Sequence, residues 1–309
     1  MAPSPSTSGV ALSVVVVTWN SADTLEAAVS PLSGERDIEL IVVDNDSADD
    51  SIAVACRAAP EAIVVQTGGN CGFAAAVDVG ADAASADVLV LLNPDCVADP
   101  AALRHLAARV HDGVAVAAPR LTDGAGLVAR SVRRRPRVRD QFVVATGLHK
   151  ISHRLDPDDD GGASSATRPM TVEVVSGACF ATPLERFREL GGLDPRFFLY
   201  GEEVDYMARV ADSGGRIEYD PAVSVVHIGG TSADKVASGT DFLLMESRVR
   251  WFRKHRGRVA AQLVRLALTM WAVRRRDRAA IRAMCRPMSR ILTPTHPVPD
   301  PVRVDAGPR

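Results

Sequence analysis

Residues able to do chemistry gather where apolar runs of this chain stop. VLVLL at residues 88–92 ends on Asn93-Pro94-Asp95, and VVVV at 14–17 ends on Thr18-Trp19-Asn20. The run at 38–43 ends on Asp44-Asn45-Asp46, and a shorter one at 62–66 leads into a Gly-rich turn carrying Asn70. A carboxylate placed like Asp95 has two uses. It can hold a divalent cation against an anionic diphosphate, or it can close an Asx turn and cap the next helix. Asx residues form turns well at any one of these positions, but four in succession point to a single binding edge. Further on, Glu202, Glu203 and Asp205 cluster behind an apolar run, and His227 closes the last one. Acids complement the first turn of a helix, yet three exceed what capping needs. Like-charged neighbours raise a carboxyl towards the range useful for proton transfer. Asp205 and Arg209, four apart, suit an ion pair along one helix face.

Holding these residues together requires a regular scaffold. Strand-like runs at 10–17, 38–43, 62–66, 88–92 and 114–118 alternate with helical patterns, one of them capped by Asp99. Repeated βα units predict an α/β fold with a doubly wound, mostly parallel sheet, right-handed crossovers and ligands at the C-terminal strand edge. The glycine turn at 68–72 follows the third strand and is not GxGxxG, which disfavours a dinucleotide site; a GxxxxGK[ST] loop is absent. Residues 119–139 read as irregular and basic, and 156–168 as a loop. Strands resume at 172–175 and 178–181. Pro183 opens a short helix that ends at Gly191-Gly192, a second helix covers 202–213, and a last strand covers 223–227. Residues 241–290 read as helical, and the rest as Pro-rich.

The bulk numbers narrow the class. At 309 residues, 47% hydrophobic and 24% charged, the chain suits one large α/β domain with an appendage. Its formal charge of −2 hides an asymmetry: residues 240–290 carry 14 lysines and arginines against 3 acids, a net +11. Five scattered cysteines without a CxxC pair indicate neither a zinc ribbon nor a disulfide framework, and fit a reducing, cytoplasmic setting. The run at 10–17 reads as a strand rather than a signal peptide. No run reaches the roughly 18 apolar residues of a membrane span; the stretch 260–273 is broken by Gln262 and Arg265. In the basic segment Trp251, Phe252, Leu263, Val264, Leu266, Leu268, Met270 and Trp271 interleave with arginines, as interfacial amphipathic helices do. No nucleic-acid module accompanies the charge, so a membrane surface is the expected partner, with a simply solvated helix face as the alternative.

Six motifs appear in a fixed order: VVVVTWN at 14–20, VVDNDSADDS at 42–51, NCGFAAAVDVG at 70–80, LLNPD at 91–95, VSGACFATPLERFRELGGLDPRFFLYGEEVDYMAR at 175–209 and VVHIGG at 225–230. Together they resemble the inverting GT-A glycosyltransferases of family 2, in their rhamnosyltransferase branch. The resemblance implies a GT-A domain over 10–235, after a disordered 1–9 and before a basic helical region at 236–290 and a Pro-rich tail at 291–309. It implies that Asp44 accepts a nucleobase N–H and that Thr18, Asn20, Asn70, Gly72, Phe73 and Asn93 line the nucleotide site. Ser176 and Gly177 would floor the donor sugar and acceptor. Asp95 and His227 would hold Mg2+ or Mn2+, with Asn93 replacing the first acid of the usual DxD. Glu203 would be the base, with Asp205 second and Glu202 orienting the acceptor. The implied donor is dTDP-rhamnose, with UDP- and GDP-sugars as the other candidates. The implied acceptor is a polyprenyl-diphosphate-linked or polysaccharide glycan at the inner face of the membrane. Asn93 and Glu203 depart from the family pattern, which keeps a second reading open: a non-catalytic sugar-nucleotide-binding subunit.

Overall fold

The computed structural model describes residues 10–148, 161–228, 241–292 and 301–304. The expected disordered N-terminus, most of the tail and the glycine pair at 229–230 lie outside these residues. The first half is built as the βα pattern predicts. Strand β1 (Leu12–Thr18), helix α1 (Ala22–Val29), β2 (Ile38–Asp44), α2 (Ser51–Ala58), β3 (Ile63–Gln66), α3 (Phe73–Ala83) and β4 (Val88–Leu92) follow one another. They pair in parallel in the order β3-β2-β1-β4. Every residue of β1 and β4 is buried because helices cover both faces. Gly80 lets α3 lie close to the sheet, since a Cβ there would collide with Val15 and Val43.

The second half differs from the expected order. After the two-residue β5 (Cys96–Val97) and α4 (Pro100–His111), β6 (Val116–Thr122) extends four residues past the strand read at 114–118. Asp99 caps α4 as expected, its Oδ1 accepting the Ala101 N–H at 2.8 Å. Then come β7 (Val132–Arg133), α5 (Val138–Thr146), β8 (Met170–Thr171), β9 (Val174–Val175), β10 (Cys179–Pro183), α6 (Leu184–Glu189), α7 (Glu202–Asp212) and β11 (Ile217–His227). Strand β6 does not join β4. Strand β10 inserts antiparallel between them, with Ala181 opposite Ala117, two side chains small enough for the sheet to close there. Strand β11 runs parallel to β6 and bulges between Asp220 and Ser224. The segment read as irregular at 119–139 therefore contains the end of β6, β7 and the start of α5. Its amphipathic pattern is obscured by arginines, but Gln141 and Ala145 are buried.

Helix α8 (Asp241–Arg274), α9 (Arg278–Met284), α10 (Met288–Leu292) and the edge strand β12 (Val302–Val304) complete the chain. Gly257, at φ 84° and ψ −174°, breaks α8 into two helices. The basic region is not a separate appendage: Met245, Val249, Phe252, Val264 and Leu268 share a core with Phe197 and Ala208 of the sheet domain. This corrects part of the expected membrane face. Trp251, Phe252, Val264 and Leu268 point inward, while Leu263, Leu266 and Met270 are exposed. No helix among the described residues is long and apolar enough to cross a membrane.

Candidate active site

The C-terminal ends of the parallel strands border a cavity of about 590 Å³. Thr18 and Asp44 face each other in register at the ends of β1 and β2, and both are buried. One Asp44 oxygen accepts the Ser47 N–H at 3.2 Å. The other, and Thr18 Oγ1, have no hydrogen-bond partner in the protein. Buried orphan groups of this kind call for a ligand or water. Asn20 is held differently from the expectation: at φ 52° its backbone N–H reaches Ser47 Oγ and its side chain accepts the Ala48 N–H at 2.7 Å. Its side chain is therefore committed to joining two loops, and Trp19 and Ser21 line the cavity instead.

Asn45 fixes the next turn. Its Oδ1 accepts from Cys71 N–H at 3.0 Å and Thr67 Oγ1 at 3.2 Å, and its Nδ2 donates to Asn70 Oδ1 at 3.1 Å. Asn70, Gly72 and Phe73 reach the cavity wall. The role expected of Gly72 changes. At φ 87° a Cβ there would meet the Phe198 carbonyl oxygen at 2.6 Å, so the space it leaves is filled by protein. With the Phe73 N–H bonded to the same carbonyl at 2.8 Å, this contact ties the turn to the loop that precedes the acidic helix.

Asn93 and Asp95 face the cavity from the turn after β4. The Asn93 N–H donates to Ala178 O at 2.8 Å, anchoring that turn to the Ser176-Gly177 loop, which also lines the wall. Strand β5 pairs with the end of β11 and places His227 opposite Cys96. His227 Nε2 consequently lies 3.2 Å from Asp95 Oδ1. The contact is close enough for an ion pair but lacks hydrogen-bond geometry, so that buried carboxylate oxygen has no hydrogen-bond partner. Asp95, Cys96 and His227 offer ligand atoms within 4.8 Å of one another. Cys96 is fully buried in the core and burial pushes its thiol up, leaving the carboxylate and imidazole as the accessible pair. An oxygen–nitrogen donor set of this kind fits a hard divalent ion better than a thiophilic one.

Helix α7 begins after two residues with left-handed backbone, Tyr200 at φ 68° and Gly201 at φ 89°. For a bulky tyrosine that is a strained conformation, of the kind held only by surrounding structure. Glu202 and Glu203 both face the cavity. Glu203 is half-buried, and its Oε2 accepts the Gly201 N–H at 3.1 Å. Gly177 gives it room, since a Cβ there would stand 3.3 Å from that of Glu203. Glu202 is buried, with Oε2 unpartnered. Burial, then the charge of Glu203, pushes its carboxyl well above the ordinary range.

Asp205 lies elsewhere, away from the cavity wall and fully buried. It contacts Lys254 Nζ at 2.7 Å, His255 Nε2 at 2.8 Å and Arg209 Nε at 2.9 Å. Burial pushes its carboxyl up, but hydrogen bonds from His255 and Lys254 and the charge of Arg209 outweigh that and hold it low. The geometry makes Asp205 a tether between α7 and α8 rather than a second base. Nothing in the sequence signalled the wall beyond the tether: Leu243, Ser247, Arg248 and Trp251 of α8 form cavity wall, as do Arg133 at the end of β7 and Arg134 after it. Trp251 and the arginines stood out in the sequence, but as surface features.

Comparison with known proteins agrees with this layout. Residues 13–175 match the model of glycosyl transferase family 2. N-acetylglucosaminyl-diphospho-decaprenol L-rhamnosyltransferase of Mycobacterium tuberculosis is 27% identical, over 70% of this chain and 75% of its own. Pre-mycofactocin glycosyltransferase of the same species is 29% identical, over 70% of this chain and 42% of its own. Among solved structures, GalNAc-T7 with UDP, GalNAc and Mn2+ superposes with a TM-score of 0.57 at 20% identity, covering 91% of this chain and 55% of that one. The mannosyltransferase PcManGT of Pyrobaculum calidifontis with GDP-Man and Mn2+ gives 0.55 at 18% identity, covering 91% and 78%. These likenesses show the GT-A fold. The matched region spans more than half of the sequence and contains all four polar strand ends, and the chain belongs to glycosyl transferase family 2.

Proposed function

We propose that the chain is an inverting, metal-dependent hexosyltransferase that moves L-rhamnose from dTDP-rhamnose to a polyprenyl-diphosphate-linked glycan at the inner face of a membrane. One observation carries the reading: the orphaned buried oxygen of Asp95 beside His227 shares a cavity with the half-buried Glu203. Rhamnose and the lipid acceptor are supported by the name of the mycobacterial relative. A divalent ion is supported by the Mn2+ of the two superposed complexes. Asp44 receives a nucleobase N–H, with Thr18 beside it, and Asn70, Phe73 and Asn93 shape the nucleotide wall. Asp95 and His227 would hold Mg2+ or Mn2+, which when bound neutralises the diphosphate and eases its departure. Glu203 takes the proton of the acceptor hydroxyl as that oxygen attacks the anomeric carbon from the face opposite the leaving diphosphate. Glu202, whose carboxyl burial pushes well above the ordinary range, orients the acceptor. Ser176 and Gly177 form the floor beneath them.

Glu203→Gln should lower kcat by about 100- to 10,000-fold with dTDP affinity and thermal melting unchanged; full turnover by this variant would remove Glu203 as the base. Asp95→Asn should weaken manganese binding at least about tenfold, read by titrating Mn2+ in the absence of donor. Donor binding by the wild type with no turnover on any lipid-linked acceptor would favour the non-catalytic reading.

A further inference from the structure

The second half of α8 carries an apolar stripe that nothing described in the chain covers. Val259, Leu263, Leu266, Met270 and Val273 are all exposed, Val259 at 74% and Val273 at 57%. Their spacing of four, three, four and three residues places them on one side of the helix, over about 20 Å at 1.5 Å per residue. Ala261, Val264, Ala267, Leu268 and Ala272, on the other side, are buried, where α5 and α9 pack against α8. Single exposed apolar residues are ordinary, but an ordered row of five is not.

The charges around the row decide what it meets. Arg256 and Arg258 are exposed at one end, and Arg275, Arg276 and Arg278 at the other. Between residues 253 and 276 there is no acid. Of the nearby acids, Glu246 pairs with Arg286 and Asp277 caps α9 through the Ala280 N–H. A second copy laid on this face would set arginines of both chains against one another with no acid to offset them. A surface of anionic headgroups over acyl chains offers what the face lacks, negative charge at its ends and an apolar layer along its length.

We infer that the outer face of α8 docks in the plane of an anionic bilayer, with the stripe at the acyl boundary and the arginines at lipid phosphates. Docking does not depend on the identity of donor or acceptor. It bears on catalysis because the first half of the same helix, through Ser247, Arg248 and Trp251, forms cavity wall.

Sedimentation of the full chain with vesicles tests the inference. The wild type should pellet with vesicles of equal phosphatidylcholine and phosphatidylglycerol, and only weakly with phosphatidylcholine alone. Leu263→Ser with Leu266→Ser should lower partitioning at least about tenfold. Arg256→Glu with Arg258→Glu should lower it about fivefold or more per site, an effect that high salt reduces. Leu127→Ser, an exposed leucine in the turn after β6, should change nothing. Met270→Ser alone, with a smaller loss, serves if the double variant melts early. Absence of binding to the anionic vesicles would overturn the inference, as would wild-type binding by the leucine variants. So would a concentration-dependent dimer that those variants abolish, which would assign the stripe to a second copy.

Discussion

The two halves of the sheet hold their functional side chains by different means. In the parallel half, polar residues leave strand ends and are fixed by turns next to them: Asn20 by Ser47 and Ala48, Asn45 by Thr67, Asn70 and Cys71. Several short hydrogen bonds share the work, and none involves a buried charge pair. In the mixed half, contacts between segments further apart in the chain place most groups, although Glu203 is held by the Gly201 N–H two residues away. His227 reaches Asp95 because β11 pairs with β5, and the acidic turn of α7 is held against α8 by Asp205, Lys254 and His255. The first arrangement should therefore tolerate local damage, whereas the second, held by a few buried charges, should transmit damage over distance.

Asp205→Asn tests the second arrangement most severely. It leaves Lys254, Arg209 and His255 facing a neutral amide in a buried position, where breaking an ion pair costs about 3 kcal/mol or more. His255 stacks on Trp251 at 4.7 Å, so the loss reaches the cavity wall. The expected result is an early thermal transition together with a raised KM. Glu203→Gln, two residues away on the same helix, should show the opposite pattern: no change in melting and a collapse of kcat. If both variants behave alike, Asp205 is not a tether.

The same contrast explains what could be read from the sequence. The parallel half was legible because each strand is a short apolar run and each turn carries its own signal, so β1 to β4 fall close to the positions read from periodicity. Strand β10 was seen, but not its place between β4 and β6, because nothing local in Cys179–Pro183 states partners as far off in sequence as Ala117 and Leu92. Helix α5 was hidden by the run of arginines that leads into it, from Arg133 to Arg139, although its Gln141 and Ala145 are buried. In the site, Asp95, His227 and Glu203 came together as motif order implied. Asp205 shared the motif but not the location, since two residues beyond Glu203, about 200° round the helix, its side chain faces core instead of cavity. Trp251 was read as surface because an arginine-rich helix gives no sign of which face is covered.

Asn45→Ala probes the first arrangement at its most connected point. The Cys71 N–H would lose its acceptor and Asn70 its donor, at about 1–3 kcal/mol for a buried group left unsatisfied. The Thr67 N–H keeps its bond to the Asp44 carbonyl at 3.0 Å, and the freed Thr67 hydroxyl proton has the Gly69 carbonyl at 2.9 Å, so the turn should persist. The expected outcome is a modest fall in melting temperature and weaker dTDP binding, with kcat nearly unchanged. A collapse as deep as that of Asp205→Asn would erase the distinction between the halves.

Asp78 lies at the seam between them, and its replacement should have the smallest effect and the opposite sign. From α3 of the parallel half its Oδ1 accepts the Leu193 N–H at 2.9 Å, holding the loop that leads to the acidic helix. Burial raises its carboxyl to about 7, the Leu193 N–H and Arg209 opposing, Asp82 and Asp194 adding to it. Between the ordinary carboxylate range and about 7 the folded chain keeps a proton that the unfolded chain has lost. Stability therefore falls as pH rises through that window, and the full cost is present above it. An asparagine in its place would keep an acceptor for Leu193 and carry no charge to desolvate. Asp78→Asn should thus melt close to the wild type near pH 4 and be more stable by about 1–2 kcal/mol near pH 8, after allowance for the solvent that reaches this half-buried group. Equal melting of the two proteins near pH 8, with the wild type flat across the range, would mean that this carboxyl is not held neutral and that the seam is bound by charge, as the mixed half is.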